Sequence, residues 1–515
     1  MSSQEKTKKN LKDVFHGISQ GIQRFFKAYN HSLARVYSPN VAALTGTLVV
    51  LVIAVVLLFV PPYVGAADDG SLSEVMLGTG VGYRQDDLAL PVGAYFVRVY
   101  LHSTYQNQGF SVHRQLVRAA MWLDDQFTHD NLFDVRFLAL LYVTLYLPAV
   151  YLVLRGVAAR VKVAAEATFL VVIGALILGD GALIACFNSL YPEAMLEILL
   201  MYCLGFCLAL QHEKEGWAQL GLIGLAVAGS MLALTEKHCA AATLVLVVFC
   251  TRQVRMENGT HQTRVLAMVC AVALMITSVA SVLYGATRFT EASKLHAMTN
   301  GVLLRSNNPA ETLEEFNIDP RFETLTDQSS YDQYPYALSG NPEIKRDFLD
   351  NYSTASIITY YVRHPIAFFG LLELGTRAAF MPVRNYVGNF ELSANMGERA
   401  KNPLFVFYSN FKSNTMPQTI GFLVILAIIY WALFRRRRGL QHFVFRWTLR
   451  ERQIMLDTFL CFLALGIVNM SVVICMSGTV ELERYQVLYG MCVDSLLLLF
   501  LAEILHRLNI LSAEE

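Results

Sequence analysis

Ten runs of this 515-residue chain are apolar over about the length that a helix needs to cross a bilayer, and no other feature limits its fold so strongly. They fall near 42–62, 136–155, 164–184, 191–210, 217–235, 238–251, 264–285, 416–434, 454–476 and 485–505, the sixth being short. In hydrocarbon a backbone has to satisfy its own polar groups, so such runs read as transmembrane helices. The expected fold is an all-α polytopic membrane protein with about ten transmembrane helices. Only 16% of the residues are charged, against about 25% in soluble domains. The 41 basic residues balance 41 acidic ones, which removes the electrostatic case for nucleic acid as a partner. The 31 Phe and 24 Tyr argue against a disordered chain. The first run follows forty residues and ends at Pro61-Pro62 without a small-residue cleavage site, so it reads as a retained anchor.

Positive charge sets the expected orientation. Residues 1–40 carry seven Lys/Arg, and the segments Arg155…Lys162, Arg252…Arg264 and Arg435…Arg452 are also basic. All four fall on one side if ten helices alternate. The other side receives residues 63–135, with nine Asp/Glu to four Lys/Arg, and residues 286–415, with fourteen to twelve. This places both termini in the cytoplasm and two large loops outside a plasma membrane. The resulting organisation is a basic cytoplasmic segment 1–41, helices one to seven over 42–285, an extracytoplasmic loop 286–415, and helices eight to ten with a short tail over 416–515. All nine cysteines lie in or beside apolar runs and neither loop holds any, so no disulfide framework supports the loops.

Within the first loop, Val112, Leu116, Ala120 and Leu123 recur at helical spacing, with Arg114, Arg118 and Asp125 off that stripe. The pattern predicts an amphipathic helix on the outer surface. In the second loop, Pro365–Phe380 is apolar but holds Glu373 and Arg377, which predicts another interfacial helix rather than an eleventh span. Ionisable groups at the membrane are the sharper signals, because burying them is costly. Asp68 and Asp69 follow the first helix in the turn Ala67-Asp68-Asp69-Gly70. Asp180 ends the third helix, and Asn188, Tyr191 and Glu193 follow in the next connection. Lys237 sits in the fifth-to-sixth turn and Arg484 in the last outer turn. Five connections thus bring acids and cations to one face, a set suited to a lipid-phosphate substrate. Each also has a plainer reading, as a solvated turn, a helix cap or a headgroup anchor, and Asp494 within the last span reads as a bundle hydrogen bond.

This layout resembles the GT-C superfamily of integral membrane glycosyltransferases, and more narrowly the bacterial glycan-biosynthesis hexose transferases. Ala67-Asp68-Asp69-Gly70 stands where those proteins carry an Ala-Asp-Asn-Gly-Asp-like motif, with Ser71 in place of the second acid. Asn188-Ser189-Leu190-Tyr191-Pro192-Glu193 is similar to their Asn-Ser-Phe-Tyr-Gly-Glu-like segment, Lys237 to a Lys after the fifth span, and Tyr360-Tyr361-Val362-Arg363-His364-Pro365 to a Tyr-Leu-Lys-His-Pro element. The resemblance covers about residues 42–505. It implies transfer of a hexose from a polyprenyl-phosphate-sugar donor to a cell-envelope glycan acceptor, at the outer face of a bacterial membrane and with inversion. Asp68 is then the expected base with Asp69 second, Arg484 and Lys237 bind the donor phosphate, and Asp180, Asn188, Tyr191 and Glu193 bind sugar or acceptor. No cofactor is required, and two adjacent acids leave a divalent cation open. Membrane lipid, a polyprenyl-phosphate glycosyltransferase and a flippase of the same pathway are the expected partners. A lipid-linked-glycan flippase or transporter, and an O-antigen ligase or polymerase, are the alternative readings. The absence of paired repeats and midplane interruptions weighs against a transporter.

Overall fold

The computed structural model describes residues 37–105, 109–161, 163–211, 215–255, 260–285, 291–330, 338–381, 385–435, 449–480 and 482–508. The basic N-terminal residues up to 36, Lys162, and the basic stretch 436–448 lie outside the described residues.

Helix α1 (Pro39–Phe59) starts with Ser38 as N-cap, its side chain accepting from Val41 N, and Pro39 in the first turn. The first of the two connections expected outside the membrane, here the first outer region, then runs through β1 (Val64–Ala66), α2 (Leu72–Thr79), β2 (Val81–Gly82), β3 (Val99–His102), α3 (Val112–Thr128) and β4 (Leu132–Asp134). Six helices follow: α4 (Arg136–Ala158), α5 (Ala164–Leu178), α6 (Glu193–Ala209), α7 (Glu215–Thr235), α8 (Cys239–Val254) and α9 (His261–Tyr284). The second outer region has α10 (Thr354–Arg363), α11 (Pro365–Phe380), β5 (Val387–Phe390) and α12 (Phe407–Thr415) among shorter turns. The chain ends in α13 (Ile420–Arg435), α14 (Leu449–Ser477) and α15 (Val487–Leu508).

All ten apolar runs are therefore helices, but they are not equally long. Among the described residues seven helices are long and apolar enough to cross a membrane, counting α5 together with the turns that continue it to Phe187, or eight if α12 and α13, bent by 100° at the break between them, form one broken span. The fourth and sixth runs give helices of 17 and 16 residues, short of the roughly 20 that a full crossing takes. Helix α6 is buried along nearly its whole length and packs against α4, α7 and α15, so it occupies the middle of the bundle. The nine cysteines are all buried and unbonded.

Two small sheets depart from a purely helical reading. Strand β1 pairs antiparallel with β5, Val64 opposite Phe390, and so stitches the first outer region to the second. Strands β2, β3 and β4 form a second antiparallel sheet in that order. Helix α3 forms as expected, but its buried face is His113, Arg114, Val117, Ala120 and Asp124. Arg114 is thus turned inward, with its guanidinium against Gly78 of α2, while Val112, Leu116 and Leu123 are only half-buried. Helix α11 begins at Pro365 and packs on the outer parts of α14 and α15: a Cβ at Gly375 would lie 2.6 Å from the Met470 sulfur. The second outer region carries its own core, with Leu295, Phe348 and Leu371 buried together with Met470 and Val473 of α14.

Candidate functional site

The first acidic turn is held by both outer regions. After β1, Ala66 N donates to Asn188 O at 3.1 Å and Ala67 N to Tyr386 O at 2.7 Å. The chain then turns through Gly70, whose φ of 97° is a left-handed value that favours glycine, and enters α2. Both carboxylates meet N–H groups at this helix start. Asp68 Oδ1 accepts from Gly70 N at 2.7 Å and Leu72 N at 3.2 Å, and Asp69 Oδ1 from Ser71 N at 2.9 Å. Backbone donors and the helix dipole both favour negative charge there.

From this point the two acids part. Asp69 Oδ1 also accepts from the Ser71 hydroxyl and the Tyr191 hydroxyl, each at 2.7 Å, and Oδ2 accepts from Arg484 at 3.2 Å. Arg484 is buried, donates further to Ser71 Oγ, and donates to the Tyr485 hydroxyl at 2.8 Å. Burial by itself would raise the Asp69 carboxyl; the Arg484 guanidinium, Ser71 and Tyr191 outweigh it and hold it below the usual aspartate range. Asp68 is half-buried and its Oδ2 accepts from the Tyr83 hydroxyl at 2.7 Å. Burial pushes the Asp68 carboxyl up, with the neighbouring Asp69 charge adding to it, against the hydrogen bonds from Tyr83, Gly70 and Leu72. One acid is a committed ion-pair partner and the other is the better base.

The remaining expected residues fall into separate places. Tyr191 touches Asp69 directly, its hydroxyl also accepting from Asp69 N at 3.0 Å. Asn188 is fully buried, and its amide donates to Leu58 O at 3.2 Å and Val64 O at 2.8 Å, tying the end of α1 to the α5–α6 connection. Glu193 is buried in the first turn of α6. Lys237 is half-buried in the α7–α8 turn next to His238, whose ring packs on Tyr485 at 5.1 Å.

Asp180 belongs to a second cluster. It accepts from Ala182 N and Ser409 N, both at 3.0 Å, and from the Ser409 hydroxyl, so it seats α12 against the end of α5. Beside it Asp494 Oδ1 accepts from Tyr408 at 2.5 Å and pairs with the buried Lys412 at 2.6 Å. Asp180, Glu197, Lys412, Gln486 and Asp494 line a cavity of about 40 Å³, room for roughly one water. Sequence reasoning missed Lys412, Tyr83 and Tyr386, each an unremarkable residue in a long loop. Ser71 was visible only as a departure from a motif, and it proves to link Asp69 to Arg484.

Asp68 and Asp69 spend their oxygens on separate sets of donors. Among the described residues no group of three or more His, Cys, Asp or Glu side chains is placed to hold a metal ion.

Fold and site together define a polytopic helical membrane protein with a polar centre where its two outer regions meet the bundle. The family model described as the YfdI N-terminal transmembrane domain matches residues 25–515, and the chain belongs to that family. No match was found among curated proteins or solved structures.

Proposed function

We propose that this chain is a membrane glycosyltransferase of the GT-C type. On this reading it moves a hexose from a polyprenyl-phosphate-sugar donor to a cell-envelope glycan at the extracytoplasmic face of a bacterial plasma membrane, with inversion. The observation that carries the reading is the meeting of Asp68-Asp69, from the first outer turn, with Arg484 from the last. A hydroxyl is a poor nucleophile until its proton has somewhere to go. The acceptor oxygen attacks the anomeric carbon while its proton passes to Asp68. The bond from that carbon to the donor phosphate oxygen breaks, and the electron pair leaves with the phosphate. Arg484 keeps Asp69 ionised and adds positive charge near the leaving group, and Lys237 beside the Tyr485–His238 contact supplies a second cation. Asn188 holds backbone in place beside the acidic turn, and Asp180 does so in the second cluster at α12. A polyprenyl-phosphate glycosyltransferase and a flippase would supply the donor outside.

The test uses purified protein in liposomes with a panel of radiolabelled polyprenyl-phosphate hexoses and crude envelope glycan. Wild type is run beside Asp68→Asn and Asp69→Asn. Transfer that depends on Asp68 supports the reading. Sugar lipids that only change leaflet, with no hexose transferred, overturn it; transfer indifferent to both aspartates overturns their assignment as the base.

A further inference from the structure

The Asp68 carboxylate has one side-chain partner that the reaction above does not use. Its Oδ1 is taken by the two backbone N–H groups of the turn, whereas Oδ2 accepts from the Tyr83 hydroxyl at 2.7 Å. A carboxylate oxygen has two lone pairs, so a donor on one leaves the other as the place where a proton can land. Tyr83 is itself held firmly. It follows β2, which pairs with β3, and β3 pairs in turn with β4 at the start of α4. The buried Tyr100 of β3 packs its ring 6.0 Å from that of Tyr83. The turn itself is open at Gly70, where an added Cβ would meet only Val92, at 3.9 Å.

We propose that Tyr83 is the positioning residue of the Asp68 base, its hydroxyl fixing the Oδ2 oxygen so that the remaining lone pair faces the acceptor hydroxyl. This rests on the transferase reading for its purpose, though the contact itself does not. In the transfer step the acceptor O–H proton passes to Asp68 Oδ2, while the Tyr83 proton stays on the phenol. The phenol titrates far above neutrality, raised by burial and then by the Asp68 charge, so it remains a donor throughout. The groups facing Asp68 are Asp69 in its own turn, Tyr83 after β2, Tyr100 on β3, and Tyr191 on the α5–α6 connection; Arg484 acts on it through Asp69.

The experiment compares wild type, Tyr83→Phe, Tyr100→Phe and Asp68→Asn in two ways. Infrared spectra of the protein in nanodiscs across pH follow the carboxyl band that disappears in Asp68→Asn. That band is expected to titrate at higher pH in Tyr83→Phe, because a hydrogen bond to the charged form is lost, and at the wild-type pH in Tyr100→Phe. Transfer from whichever radiolabelled polyprenyl-phosphate hexose of the panel wild type uses in the liposome assay is expected to show a kcat about tenfold lower in Tyr83→Phe, with KM unchanged and the acid limb moved up in pH. An unshifted band overturns the positioning role, as does a raised KM with an unmoved limb, which would make Tyr83 a substrate contact. Undiminished transfer by Asp68→Asn overturns Asp68 as the base and the positioning role with it, whereas wild type that transfers no hexose from any donor of the panel overturns the transferase reading itself, whatever the band does. Thermal unfolding of all four proteins separates these outcomes from misfolding.

Discussion

Arg484 in the last outer turn donates to the Asp69 carboxylate in the first at 3.2 Å, across 415 residues of sequence. The contact ties the connection after α1 to the connection before α15. It also divides the labour of two adjacent acids, since only Asp69 receives the cation and only Asp68 is left with a raised affinity for protons.

Removing the guanidinium strands a carboxylate whose side chain is only 17% exposed. Arg484→Ala should therefore cost about 3 kcal/mol of stability, the lower end of what is seen when one member of a buried pair is deleted. Adding Asp69→Asn to that variant removes the stranded charge and should restore part of the loss. Thermal unfolding in nanodiscs reads both. Strictly additive losses would mean that the two groups do not stabilise one another.

Asn188 makes a different kind of prediction. Its side-chain amide feeds the carbonyls of Leu58 and Val64, and its backbone carbonyl accepts from Ala66 N. Asn188→Ala leaves two buried acceptors without their donor, at a cost of about 1–3 kcal/mol. The loss should appear in the melting temperature before any effect on KM for acceptor. A normal melting temperature with a raised KM would return Asn188 to the role of sugar ligand.

The Lys412–Asp494 pair is buried beside α15 with Tyr408 on the same carboxylate oxygen. Lys412→Met leaves Asp494 without its cation and should destabilise by about 3–5 kcal/mol. Lys412→Met combined with Asp494→Leu removes both charges and should recover much of that, because two apolar groups need no solvation. If the double variant is worse than the single one, the pair has a role beyond holding α12 in place.

What could be read from the chain follows the physics of each element. Long apolar runs announce themselves because hydrocarbon demands them, and all ten are helices. Their lengths were less legible: α6 is buried along nearly its whole length, and burial in protein removes the need to match the bilayer. Helix α3 shows why periodicity alone misplaced a face. His113 turns inward because both ring nitrogens have partners, Tyr142 and Leu190 O, each at 2.8 Å. No hydrophobic stripe reports such satisfaction. The strands β1 and β5 are 3 and 4 residues long and separated by most of the chain, so no local pattern marks their pairing. The site was legible as a set of charged outer turns, whereas the division into an Asp69–Arg484 cluster and an Asp180–Asp494 cluster depends on how α12 folds back.

The two carboxyls of the first turn also predict how acid acts on the protein. Asp69 has a lowered value, so the stability from its pairing with Arg484 is present above the ordinary aspartate range, about pH 4. That stability is lost only as pH falls through the lowered value. Asp68 has a raised value, so the native protein takes up this proton at a higher pH than the unfolded chain does. Charging Asp68 therefore costs stability as pH climbs through that window, while the transfer reaction needs it charged. Activity should fall along an acid limb above the ordinary aspartate range, while the Asp69–Arg484 contact is still intact. Acid inactivation should thus be reversible and precede acid unfolding. Within the active range, Asp68→Asn should lower transfer by about a hundredfold to ten-thousandfold. Transfer rate and intrinsic fluorescence followed over one pH series check the order of events. If the two curves fall together, the base is not Asp68, and inactivation is loss of the Asp69–Arg484 closure itself.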